Sequence, residues 1–241
     1  MPGEKLLALA DPVFRPSDPR LKGSPDKKQI ARRDDSSLSL CKAVEDQMGL
    51  RIRRLPSTSD LARKLEKLFG KDNTELMTGT QADETGFKNR NLSEYRYLVM
   101  ATHGILDSRV SEIMEPALIL SQVGGAGNDG FLTMNEVMDL KLGADIAALT
   151  ACETGRGEHL SGEGVMGLGR AFQYAGAKSV LVSLWSVSEE SSVKLTEKFF
   201  FHIKDGKNKA AALRLARQEI RKRGYDHPFF WAPFVLHGEW Q

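Results

Sequence analysis

Four apolar runs, each too short for a helix, recur along the chain at Lys5 to Ala10 (KLLALA), Tyr95 to Ala101 (YRYLVMA), Asp145 to Ala151 (DIAALTA) and Lys178 to Trp185 (KSVLVSLW). Apolar residues fill neighbouring positions in these runs rather than alternate ones, the mark of strands covered on both faces. Helical patterns lie between them. Leu61, Leu65, Leu68 and Phe69 recur at i, i+4, i+7 and i+8, from a cap expected at Thr58 or Ser59 to a stop at Gly70. Gly164 to Ala175, Glu189 to Ile203 and Lys209 to Arg223 read as further helices, and Asp83 to Asn89 as a short one. Thr74 to Met77 and Phe234 to His237 read as strands. Pro116 to Ser121 and Gly130 to Leu132 read as a hairpin around a glycine-rich tip. The alternation predicts an α/β fold: a mostly parallel sheet with helices on both faces.

At 241 residues the chain is expected to form a single domain over 1–241. From about 15 to 50 the composition turns to proline, serine and charge, which predicts an irregular charged insertion. Arg15 to Arg54 carries 11 basic and 6 acidic residues, read as a solvated loop, with contact to an acidic partner as the sharper alternative. The whole chain has 34 basic and 32 acidic residues, a net +2 that argues against a nucleic-acid partner. No apolar run approaches the ~20 residues of a membrane span and no signal-peptide core is visible, so a soluble cytoplasmic protein is expected. The two cysteines, Cys41 and Cys152, form neither a disulfide framework nor a CxxC zinc motif.

Two strands end in reactive residues. Thr102-His103-Gly104 follows one and Cys152 closes another, 49 positions later. Open α/β sheets place their sites beyond the carboxyl ends of strands. A thiol is a weak nucleophile until it loses its proton, and a histidine within reach can take it. Gly104 has no Cβ to keep a substrate carbonyl away from its N–H, which suits an oxyanion donor.

The residues around this pair resemble the CHAT domain, a caspase-like family often attached to tetratricopeptide repeats. Tyr97 to Gly104 (YLVMATHG) is similar to its histidine motif and Leu149 to Gly155 (LTACETG) to its cysteine motif. Leu6 to Phe14, the Pro116–Ser121 and Asp129–Thr133 hairpin, Gly162 to Leu168, Ala175-Gly176-Ala177, Ser183-Leu184-Trp185, and His227-Pro228 with Trp231-Ala232 and Phe234 extend the likeness over nearly the whole chain. The resemblance implies a three-layer caspase-like sandwich whose last strand is antiparallel. It also implies a cysteine endopeptidase with Cys152 as nucleophile, His103 as general base and acid, and the Gly104 and Cys152 amides as oxyanion hole. The expected partners are a protein substrate and a regulatory or sensor protein with tetratricopeptide repeats. No metal or cofactor is expected. The alternative is a catalytically silent signalling or scaffolding module on the same fold.

Other features are weaker. His159 raises a metal site with Cys152 and His103, but no further ligand stands at a spacing that zinc uses. Gly162-x-Gly164-x-x-Gly167 matches the dinucleotide fingerprint without its strand directly before it. By the same family resemblance, Asp11 or Asp60 could line a pocket for a basic substrate residue; the plainer readings are a turn residue and an early-helix acid. Cys41 reads as an ordinary thiol.

Overall fold

The computed structural model describes residues 3–22, 36–48, 51–105, 113, 115–123, 129–150, 152–153, 163–185 and 188–241. Its centre is a six-stranded sheet with spatial order β10-β9-β7-β3-β1-β2. These strands are β1 (Leu6–Pro12), β2 (Thr74–Gly79), β3 (Tyr97–Ala101), β7 (Ile146–Leu149), β9 (Ser179–Ser183) and β10 (Phe234–Gly238). All pairings are parallel except that of β10, which runs against β9. The last strand is therefore antiparallel, as the family resemblance implies. A second sheet, of order β6-β5-β4-β8, holds β4 (His103–Ile105), β5 (Ala117–Ile119), β6 (Phe131–Thr133) and the two-residue β8 (Cys152–Glu153). β5 and β6 form the antiparallel pair expected of the hairpin, whose tip at 124–128 lies outside the described residues.

Strand periodicity divides the core in two. Leu7, Leu9, Leu98, Met100, Ala147, Leu149, Val180 and Val182 face one side, and Leu6, Ala8, Ala10, Tyr97, Val99, Ala101, Ile146, Ala148 and Leu181 the other. Both sets are buried, which explains why these strands read as continuous apolar runs. Helices α1 (Ser36–Met48), α2 (Pro56–Phe69), α3 (Glu84–Lys88), α4 (Met134–Met138), α5 (Glu163–Tyr174), α6 (Glu189–Lys204) and α7 (Lys209–Arg221) complete the fold. Leu61, Leu65 and Phe69 of α2, Phe199 and Phe200 of α6, and Ala212, Ala216 and Ile220 of α7 cover the second face. Phe87 of α3, Val137 of α4, and Leu168 and Phe172 of α5 cover the first. The molecule is thus a three-layer α/β sandwich.

Polar residues start several helices by satisfying their open N–H groups: Asp83 for α3, Ser188 for α6 and Asn208 for α7, with a Thr133–Glu136 capping box for α4. Helix α2 differs from expectation. It begins at Pro56, two or three residues before the expected cap, because proline needs no N–H partner at a helix start. Thr58 lies within the first turn, where its hydroxyl donates to the Leu55 carbonyl and accepts the Asp11 N–H. Gly70 ends the helix at φ 90°, as its position suggested. The segment read as irregular contains α1, which lays Cys41 and Val44 against Phe14, Ile52 and the smaller sheet's Ile105, Ile119 and Phe131. Among the described residues its buried or half-buried apolar positions, Leu40, Cys41, Ala43 and Val44, were too sparse a stripe to stand out among its charges.

The chain moves outward from β1 to β2, then returns past β1 to β3. The gap beyond the carboxyl ends of β1 and β3 is therefore the topological switch point, where such sheets open a crevice.

Candidate active site

Two strands leave the large sheet together. β3 stops at Ala101 and, after Thr102, the chain pairs again as β4; β7 stops at Leu149 and pairs again as β8. Met100 pairs with Leu149 and His103 pairs with Cys152, so the 49-residue offset is the same in both sheets. Adjacent strands lie ~4.8 Å apart, which sets the main chains of His103 and Cys152 side by side. The kinks are tied by neighbouring main chain. Thr102 Oγ1 donates to the Ile119 carbonyl, and the Thr150 N–H donates to the Met100 carbonyl at 3.2 Å. Gly104 follows His103 in β4, paired with Glu153 on one side and Leu118 on the other.

The His103 ring is held at an edge and a face. Its Nε2 lies 2.7 Å from the Arg53 carbonyl oxygen. A carbonyl only accepts, so Nε2 carries the proton and Nδ1 the lone pair of the neutral ring. Phe14 packs on the imidazole at 5.3 Å between ring centres. Burial holds the His103 pKa below its usual value, and the Arg53 hydrogen bond offsets part of that effect. The ring is therefore neutral at pH 7, with Nδ1 able to take a proton.

Arg53, whose carbonyl makes this contact, gave no sequence signal, since any residue supplies a carbonyl. Its neighbours hold it. Ile52 is buried beside Phe14 and Ile105, and its N–H donates to Glu45 Oε1 at 2.6 Å. Arg54 grips Asp11 through Nε and Nη2, at 2.8 to 3.2 Å. Asp11 stands at the end of β1 with φ 46°, a left-handed conformation that costs an ordinary residue about 1–2 kcal/mol. Arg20 adds a second guanidinium to the Asp11 carboxylate at 3.0 Å and donates to the Asp11 carbonyl.

These contacts separate the two acids weighed for a substrate pocket. Asp11 is at the switch point, buried and occupied by two arginines of its own chain. Asp60 is on the exposed side of α2, paired with Arg63. Cys41 is buried under α1, where loss of hydration pushes its thiol up to about 12 with help from Glu45. It is a packing residue in the state that reacts least.

The antiparallel course of β10 brings the residues before it to the same end of the sheet. There Trp185, two positions past β9, donates its indole N–H to the Phe229 carbonyl at 3.1 Å. Arg221 lies over the Trp231 ring at 5.0 Å. Sequence segments 183–185 and 227–234 thus converge on the rim that also carries His103 and Cys152.

Among the described residues, no group of three histidines, cysteines or carboxylates is arranged to hold a metal. His159 lies outside the described residues. Gly164 and Gly167 fall inside α5 rather than in a strand-to-helix turn, which removes the geometry a dinucleotide site needs. No helix among the described residues is long and apolar enough to cross a membrane.

Comparison with known proteins agrees with this architecture. A family model described as "CHAT domain" matches residues 2–239. The human protein "Tetratricopeptide repeat protein 28" is 34% identical over 108 residues, and its mouse counterpart 32% over 108 residues. Each alignment covers 44% of this chain and 4% of the relative, so the chain matches only a small part of these long proteins.

Proposed function

The chain belongs to the CHAT domain family, a caspase-like family, and from that membership we propose that it is a cysteine endopeptidase working through Cys152 and His103. The observation that carries the reading is the in-register pairing of His103 with Cys152 beyond the carboxyl ends of β3 and β7. In this mechanism His103 Nδ1 takes the Cys152 thiol proton, and the thiolate adds to a peptide carbonyl carbon. The amides of Gly104 and Cys152 stabilise the resulting oxyanion. Gly104 is already partnered within the fold, between Leu118 and Glu153. His103 then returns the proton to the leaving amine, giving a thioester. Water activated by the same imidazole hydrolyses the thioester to free acid and thiol, and the cycle closes without metal or cofactor.

A protein substrate follows from the reaction class. The names of the relatives place tetratricopeptide repeats in the same chain as a matching segment, which supports a regulator or sensor of that kind for this protein. An endopeptidase in the cytoplasm, the compartment proposed here, needs such restraint.

The test is a diverse peptide library incubated with wild type, Cys152→Ala and His103→Ala, read by mass spectrometry. Cleavage by wild type alone, with a drop of at least ~10³-fold in both variants at unchanged thermal stability, is expected. Cleavage that survives Cys152→Ala refutes the assignment. Silence of the wild type, alone and with a repeat-containing partner, favours the scaffolding alternative.

A further inference from the structure

The segment from Ile52 to Arg54 joins three parts of the molecule in three consecutive residues. Ile52 is 2% exposed and anchors in the apolar cluster beneath the smaller sheet. The Arg53 carbonyl meets His103 Nε2. Arg54 makes a two-pronged ion pair with Asp11 at the end of β1. Helix α2 has its own tie to β1, because the Asp11 N–H donates to Thr58 Oγ1 at 2.9 Å. The Arg54 contact is thus not needed to seat the helix. What it adds is a fixed point one residue from the carbonyl that holds the imidazole. The strained backbone of Asp11 aims its carboxylate at that point, and Arg20 holds the Asp11 carbonyl and carboxylate from the other side.

We infer that Asp11 and Arg54 are positioning residues, whose ion pair keeps the Arg53 carbonyl on His103 and so keeps the imidazole in the Nε2-protonated tautomer and in one orientation. The inference rests on the proposed Cys152–His103 chemistry for its purpose, though not for its geometry. Bidentate guanidinium–carboxylate pairs fix orientation as well as distance, which suits this role better than a single ammonium contact.

The experiment uses the full chain with ¹⁵N-labelled histidine. Wild-type His103 is expected to show an exchange-protected Nε2 proton, hydrogen-bonded to Arg53. Arg54→Ala and Arg54→Gln remove the ion pair and should lose that proton signal while the thermal midpoint stays within a few degrees. Arg54→Lys, which keeps a charge for Asp11, should restore the signal in part. Asp11→Asn is the matching change on the other partner, with Arg54→Gln as the safer variant because Arg54 is the more exposed of the two. A protected proton that persists in folded Arg54→Ala and Arg54→Gln overturns the inference, as does its absence from wild type. The proton is read without substrate, so the two ideas fail separately. If no peptide is cleaved yet the signal follows Arg54, positioning stands and the peptidase reading falls. If Cys152-dependent cleavage is found and kcat/KM and the signal ignore Arg54, positioning alone falls.

Discussion

Alkylation of the two cysteines tests the site without knowledge of the substrate. Cys41 has its thiol pushed up from 9.0 to about 12 by burial, then by Glu45. Three units lower its thiolate fraction at neutral pH ~10³-fold. A more basic thiolate is also a better nucleophile, with a Brønsted slope of about 0.45, which returns a factor of about 20. The net slowing is roughly fifty-fold before the α1 helix blocks the reagent, so native-state labelling reads Cys152 almost alone. The proposed dyad, with His103 Nδ1 as base, makes Cys152 react faster than a free peptide thiol at pH 6.5, where unassisted thiols are mostly protonated. The assay is a timed iodoacetamide series from pH 6 to 8.5, quantified by peptide mass spectrometry, with wild type and His103→Ala compared. In urea both cysteines should react at ordinary rates, which checks the Cys41 baseline. A Cys152 rate at pH 6.5 that is unchanged in His103→Ala, or that equals the Cys41 rate, refutes the dyad.

Phe199→Ala should cost about 3–5 kcal/mol in urea unfolding, because this side chain is fully buried between α6 and the sheet; a loss below 1 kcal/mol contradicts that packing. Glu84 is buried, and burial raises its pKa from 4.5 to about 7 against the opposing pull of Lys88. A carboxyl with a raised folded-state pKa contributes stability at low pH and loses it as pH climbs from about 4.5 through 7. Denaturation midpoints should show a declining component over that window that flattens in Glu84→Gln, and an unchanged slope counts against it. Gly238 sits at φ 93°, where a Cβ would collide with the Lys178 carbonyl oxygen. Gly238→Ala should therefore disturb the β10 edge and lower the thermal midpoint, whereas Gly206→Ala, also at positive φ (77°) but facing open space, should cost less.

The strand and helix order was legible because burial leaves its mark on residue type. A strand covered on both faces must be apolar at every position, as Leu6 to Ala10 and Tyr97 to Ala101 are, and such runs are unlike anything on the surface. The offset from His103 to Cys152 was legible for a related reason: two parallel strands keep one register, so a spacing in the sequence became a pairing in space. Helix α1 was missed because, among its described residues, the buried ones are Cys41 and Val44, too little to announce a helix among charged neighbours. Thr58 was misread as a cap because a hydroxyl near a helix start looks the same whether it serves the helix or the adjacent strand.

Residue identity alone therefore determined the α/β class and the 49-position offset by which His103 and Cys152 pair. The tertiary structure alone decided that Arg53 holds His103, that Asp11 is occupied by Arg20 and Arg54, and that Cys41 is sealed from solvent. Side-chain chemistry is written in the amino-acid code. A carbonyl is common to every residue, and which one reaches an imidazole is settled only when the chain has packed.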